Sequence, residues 1–132
     1  MGRYKITIPA TSANLGPGFD ALGMALQLYN VFEIEKAEDF SIAIEGEGAG
    51  GIPQDKSNMA YRSFVAALQA IGVPEMPVKI KQVNHVPVSR GLGSSANAVV
   101  GGILCALAVT KTEWPKETIL ELASNIEGHS DN

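Results

Sequence analysis

The chain has 132 residues, is 45% hydrophobic and 18% charged, and carries a formal net charge of −4. That length holds one domain of ordinary size, and the composition excludes a disordered or low-complexity polypeptide. The missing basic surplus excludes a general nucleic-acid footprint. Cys105 is the one cysteine, so neither an internal disulfide nor a thiolate zinc site can form, which suits a reducing cytosol. Met1 to Ala10 alternates charged and apolar residues, unlike a targeting signal. The longest apolar stretch, Val99 to Val109, contains Gly101 and Gly102 and is too short to span a bilayer. The expectation is a cytoplasmic protein with neither a membrane nor a nucleic-acid partner.

In chain order, Tyr4, Ile6 and Ile8 alternate with Arg3, Lys5 and Thr7, the period of a half-buried strand. Val31 to Glu35 and Ser41 to Glu45 repeat the signature, and Glu45 to Asp55, rich in glycine and holding Pro53, reads as a loop. Ser57 is the expected cap of a helix whose apolar positions are Tyr61, Phe64, Val65 and Leu68; Gly72 and Pro74 stop it. Val78 to Val83 is the fourth strand. In each strand one face is apolar and the other carries Glu, Lys, Ser or Gln, so one face is wet. The class is therefore α+β, an antiparallel or mixed sheet with helices on one face, the antiparallel form fitting best.

Ser94 to Val109 predicts a helix that is apolar nearly all round. Gly101 and Gly102 cost it roughly 1 kcal/mol each, and close packing of another backbone is the expected compensation. A sheet covers only one side of such a helix, so a further layer is expected from the rest of the protein or from a second copy. Alone, residues 1–132 are expected to fold marginally. A third helix is predicted from Pro115 to Gly128, with Ile119, Leu122, Ala123 and Ile126 as its apolar face and Glu121 opposite, in solvent.

Pro87-Val-Ser-Arg-Gly-Leu-Gly-Ser-Ser-Ala96 joins the fourth strand to the apolar helix. Gly91 and Gly93 let backbone N–H groups approach an anion, and Ser94 and Ser95 add hydroxyls at a helix N-terminus. A phosphate cradle and a plain strand-to-helix turn have equal weight here. The Gly-Lys-Ser/Thr ending of a Walker A loop is absent, as is the acidic residue a dinucleotide site needs about 20 positions on. Asn14 and Asp20 offer an amide and a carboxylate within Pro9 to Gly23, a segment whose composition alone means a turn. His129 and Asp131, set just beyond the predicted helix end, read as catalytic groups or as a solvated cap.

Taken together, three segments resemble the homoserine kinase branch of the GHMP small-molecule kinases. They are Ser12-Ala-Asn-Leu-Gly-Pro-Gly-Phe-Asp-Ala-Leu-Gly23, the Pro87 to Ala96 loop, and Glu127-Gly-His-Ser-Asp-Asn132. The chain departs from that pattern at Ser130, where Pro is more usual, and at Asn97, usually small and apolar. The resemblance implies a ribosomal-protein-S5-like α+β domain with a left-handed βαβ crossover. Residues 1–132 would be the N-terminal ATP-binding domain, with a C-terminal GHMP domain outside the chain. It implies ATP phosphates on Gly91, Leu92, Gly93, Ser94 and Ser95, flanked by Pro87, Arg90 and Ala96, with adenine near Asn58. Mg²⁺ would be held by Ser95 and Glu121, and the amino-acid substrate by Asn14, Asp20 and His129. Asp131 occupies the position of a catalytic base in mevalonate-type relatives. The activity implied is ATP-dependent phosphorylation of L-homoserine to O-phospho-L-homoserine, a step of threonine biosynthesis, in a full-length homodimer. The isolated 132 residues are expected to be inactive. The alternatives are a mevalonate-, galactose- or shikimate-type kinase of the same superfamily, or a non-catalytic nucleotide-binding module.

Overall fold

A computed structural model describes residues 3–9, 29–85 and 94–130, without the side chains of Pro9, Ser94, Ser95, Ala96, His129 and Ser130. Strands β1 (Tyr4–Pro9), β2 (Tyr29–Lys36), β3 (Ser41–Gly46) and β4 (Val78–Asn84) form one sheet in the order β1-β2-β4-β3. The first two pairings in that order are antiparallel, and β3 lies parallel to β4. The sheet is therefore mixed, which corrects the antiparallel preference. The chain passes from β3 to β4 through a 3-10 turn (Ala49–Gly51) and helix α1 (Met59–Ile71). That is the long crossover parallel neighbours require.

Strand alternation sorts the two faces. Ile8, Phe32, Ile34, Ile42, Ile44, Val78 and Ile80 are buried on the inner face. The outer face is charged: Arg3 reaches Glu33 and Glu35 at 3.9 and 3.7 Å, and Lys81 reaches Glu45 at 3.5 Å. Such exposed pairs contribute little to stability. One assignment changes. Gln82 belongs to the inner face, 4% exposed, while Val83 turns outward. With every second residue of β4 committed inward from Val78, the phase of the strand overrides side-chain polarity.

The cap of α1 is Asn58, not Ser57: the Tyr61 N–H donates to Asn58 Oδ1 at 3.0 Å. Ser57 instead donates its N–H and hydroxyl to the Asp55 carboxylate, at 2.9 and 2.6 Å, and these bonds hold the Asp55 carboxyl below its usual range. Gly72 ends the helix at φ +94°, a conformation only glycine adopts without strain, with its N–H on the Leu68 carbonyl.

Helix α2 (Ser94–Thr110) is the core of the helical layer, and α3 (Lys116–Ser130) follows it. β1 and β2 lie beneath α2, and α1 and α3 flank it. Val99, Ile103, Ala106 and Leu107 are buried, and Val100, Leu104 and Ala108 form one half-buried stripe. The expected further layer is thus supplied largely within the chain, by α1 and α3. A Cβ at Gly102 would fall on the Ala60 carbonyl oxygen, and one at Gly101 on the Phe32 ring. The compensation is backbone contact at Gly102 and an aromatic ring at Gly101.

α3 starts directly after Pro115, whose carbonyl accepts from Thr118 N–H at 3.0 Å. It does not stop at Gly128 but continues to Ser130, since Gly128 keeps a negative φ and no left-handed cap forms there. Ala123 is buried, Ile119, Leu122 and Ile126 are half-buried, and Leu120 is exposed.

Candidate functional site

The register of the sheet places several chain ends at one edge. Pro9 pairs with Tyr29, Asn30 with Asn84, and Gly46 with Asn84. The end of β1, the start of β2 and the ends of β3 and β4 therefore share that edge. The 17 residues of α2 and 15 of α3 give helices about 25 and 22 Å long. They pack against each other across a short connection. Pro9 and Tyr29, which bracket residues 10–28, and His85, which precedes 86–93, share one end of the sheet.

The site residues expected from the sequence fall unevenly on this frame. Asn14, Asp20, Pro87, Arg90, Gly91, Leu92, Gly93 and Asp131 lie outside the described residues. Ser94, Ser95 and Ala96 form the first turn of α2, where unpaired backbone N–H groups and the positive dipole end favour an anion. His129 lies within the last turn of α3 rather than beyond a helix end. Asn58 is 1% exposed, and its Nδ2 donates to the Pro53 carbonyl at 2.9 Å while its Oδ1 caps α1. One amide hydrogen and one carbonyl lone pair of that carboxamide are left for any further partner. Glu121 is exposed on α3, as the periodicity implied, and makes no ion pair among the described residues. No cluster of three His, Cys, Asp or Glu side chains that could hold a metal occurs among them.

The same end of the sheet holds a feature the sequence reading missed. Asn30, Gln82 and Asn84 are 2%, 4% and 2% exposed on the inner face. Gln82 Nε2 donates to Asn84 Oδ1 at 2.9 Å, Asn84 Nδ2 donates to the Glu47 carbonyl at 3.3 Å, and His85 N–H donates to Asn30 Oδ1 at 2.9 Å. The signal was available: counting in twos from Phe32 and from Ile80 reaches all three. Asn97, fully buried, stands one helical turn before Gly101 and so on the same side of α2, which sits on Phe32. The departure from a small apolar residue at Asn97 falls at this polar end.

The opposite edge, before β4 begins, is different in kind. Tyr61 donates its hydroxyl to Glu75, which Lys56 approaches at 3.9 Å while lying over the Phe40 ring. Burial, reinforced by Glu75, pushes the Tyr61 hydroxyl above its ordinary value. Cys105, buried in α2, is pushed up to about 12 by desolvation, so its thiol stays protonated and unreactive. No described helix is long and apolar enough to cross a membrane.

Residues 58–132 match the family described as GHMP kinases N terminal domain. A homoserine kinase of Desulfitobacterium hafniense is 48% identical over 128 residues, covering 97% of this chain and 43% of the relative. A homoserine kinase of Caldanaerobacter subterraneus is 47% identical over 132 residues, covering 99% and 42%. A Listeria monocytogenes structure assigned provisionally as a homoserine kinase superposes with a TM-score of 0.70 at 33% identity, over 96% of this chain and 44% of that one. The chain spans about two fifths of the length of the curated relatives it matches.

Proposed function

This chain belongs to the GHMP kinases through their N-terminal domain, and on that premise we propose that the whole protein transfers the γ-phosphate of ATP to the side-chain hydroxyl of L-homoserine. The observation that carries the choice of substrate is the 48% identity to a homoserine kinase along nearly the entire chain. The pairing of Pro9 with Tyr29 and of Asn30 with Asn84, which sets the described residues flanking two of the motif-bearing segments at one end of the sheet, supports it. The product would be O-phospho-L-homoserine, made in the cytoplasm as a step of threonine biosynthesis.

In this reading the backbone N–H groups of Gly91, Leu92, Gly93, Ser94 and Ser95, at the positive end of α2, hold the ATP phosphates. Pro87, Arg90 and Ala96 complete the loop. Asn14, Asp20 and His129 hold the amino acid so that its hydroxyl faces the γ-phosphate in line. Asp131 accepts the hydroxyl proton or supports the group that does. Asn58 shapes the entry to α1 and keeps one amide hydrogen and one carbonyl lone pair for adenine. Ser95 and Glu121 suit Mg²⁺, which takes hard oxygen donors and keeps several waters; the Glu121 carboxylate is exposed and makes no ion pair among the described residues. When bound, that ion neutralises charge on the phosphates.

A coupled ADP-release assay on the full-length protein tests the proposal. Turnover with L-homoserine should exceed that with mevalonate, galactose or shikimate, and a preference for one of those three would sink the substrate assignment. Nucleotide binding without ADP release from any acceptor would favour a non-catalytic module. Residues 1–132 alone should release no ADP.

A further inference from the structure

The inner face of the sheet changes character along its length. Toward the start of β4 it presents Ile34, Val78 and Ile80; toward the end it presents Asn30, Gln82 and Asn84. Apolar side chains in those three places would add burial and need no partners. Carboxamides must find hydrogen bonds or be left costly, and Gln82 Oε1 is buried with no partner among the described residues. The row is therefore a poor solution for stability alone.

What the three amides supply is direction. Asn30 takes the N–H of His85, the first residue beyond β4. Asn84 holds the exit of β3: its Nδ2 donates to the Glu47 carbonyl, while its own carbonyl accepts from Glu47 N–H at 2.9 Å. Gly46, at φ +92°, makes that approach possible, since a Cβ there would fall on the Asn84 carbonyl oxygen. Gln82 orients the Asn84 amide through its own Nε2. Two consecutive residues, Asn84 and His85, are thus pinned by side chains from β2 and β4 and by the end of β3.

We infer that the buried carboxamide row Asn30–Gln82–Asn84 is a positioning device that fixes where, and in what direction, the chain leaves β4. The consequence for nucleotide binding rests on the kinase reading above. Backbone donors for phosphates act only when held within about 0.5 Å of their place. The row would hold one end of the connection that carries them.

The test uses the full-length protein. Gln82→Met/Asn84→Leu fills the same space with apolar groups and leaves only the exposed Glu47 carbonyl to rehydrate, so Tm should move by no more than about 3 °C. Hydrogen exchange at His85 should quicken about tenfold in this variant and in Asn30→Leu, with α1 and the middle of α2 at wild-type rates. Asn30→Asp keeps the acceptor and should keep His85 protected. ATP affinity, measured by calorimetry, should fall about tenfold in the double variant. Unchanged exchange at His85, or a uniform rise across the sheet, would overturn the inference, as would unaltered ATP affinity in a variant whose His85 has loosened. If the double variant fails to fold, the Asn30→Leu and Asn30→Asp pair decides by the same exchange measurement. If the wild type binds no ATP, the kinase reading fails while exchange at His85 still decides the row.

Discussion

α1 and α3 flank the same helix and carry similar apolar periodicity, yet they are attached to it in different ways. Ala60, Tyr61, Phe64, Ala67 and Leu68 of α1 are buried, and the backbone of Gly102 in α2 lies directly against the Ala60 carbonyl. α3 buries only Ala123 among its described residues, with three half-buried neighbours and an exposed Leu120. An amphipathic stripe states that a helix will be covered on one side and leaves open how closely. Small residues on the facing helix settle that, and α2 offers glycine where it meets α1. Stability concentrates on the α1 side, and α3 is the side expected to open at lower free energy. α3 is also the helix that carries Glu121 and His129, two of the groups proposed above for metal and substrate.

The sharpest way to break this contrast is Gly102→Val. The new Cβ would overlap a backbone carbonyl that cannot swing aside, so denaturant titration should show a loss of more than about 4 kcal/mol, or no folded protein. A loss under about 1 kcal/mol would mean that α1 and α2 are not in backbone contact.

On the α3 side the contrast predicts chemistry without stability. Glu121→Gln in the full-length protein should lower turnover roughly a hundredfold at saturating Mg²⁺. Its unfolding free energy should stay within about 0.5 kcal/mol of wild type, as for other exposed sites. Wild-type turnover would remove Glu121 from the metal shell.

The smallest effect concerns Tyr61, buried in the first turn of α1. Its hydroxyl titrates above its ordinary value of 10.0 in the folded chain, so the protonated form is favoured by folding. The stability this contributes is complete below that ordinary value and is lost as pH rises beyond it toward the folded value. Tyr61→Phe should therefore show a shallower fall in stability above pH 10 than wild type. Identical alkaline profiles would mean that burial and Glu75 do not favour the protonated hydroxyl.

The strands were legible because inner positions such as Phe32, Ile34, Val78 and Ile80 repeat every second residue. Gln82 was misplaced because its polarity was weighed above its phase. The direction of β3 was not legible, since a strand with one wet face looks the same whether its neighbour runs parallel or antiparallel. Ser57 and Asn58 are both good caps, and only the competing Asp55 carboxylate decides between them. Gly128 misled for the opposite reason: glycine permits a left-handed stop without requiring one. Of the candidate site, residue types suggest a chemistry for the motifs, while the meeting of the described chain ends Pro9, Tyr29 and Asn84 depends on strand register. The inward amides were hidden by their resemblance to surface residues.

The strand order has a consequence for how the chain is made. β4 sits between β2 and β3, so β3 has no neighbour in the sheet until Asn84 has been synthesised. β1 and β2 can pair as soon as both have left the ribosome. Ile42 and Ile44 must wait for residues 47–84 to follow, a few seconds at about 5–20 residues per second. During that interval the nascent chain holds an apolar strand with both edges open, the form most prone to mispair with other chains. A pause in translation before β4 has left the ribosome would lengthen that exposure, while one after it has left would find β1 to β4 all available.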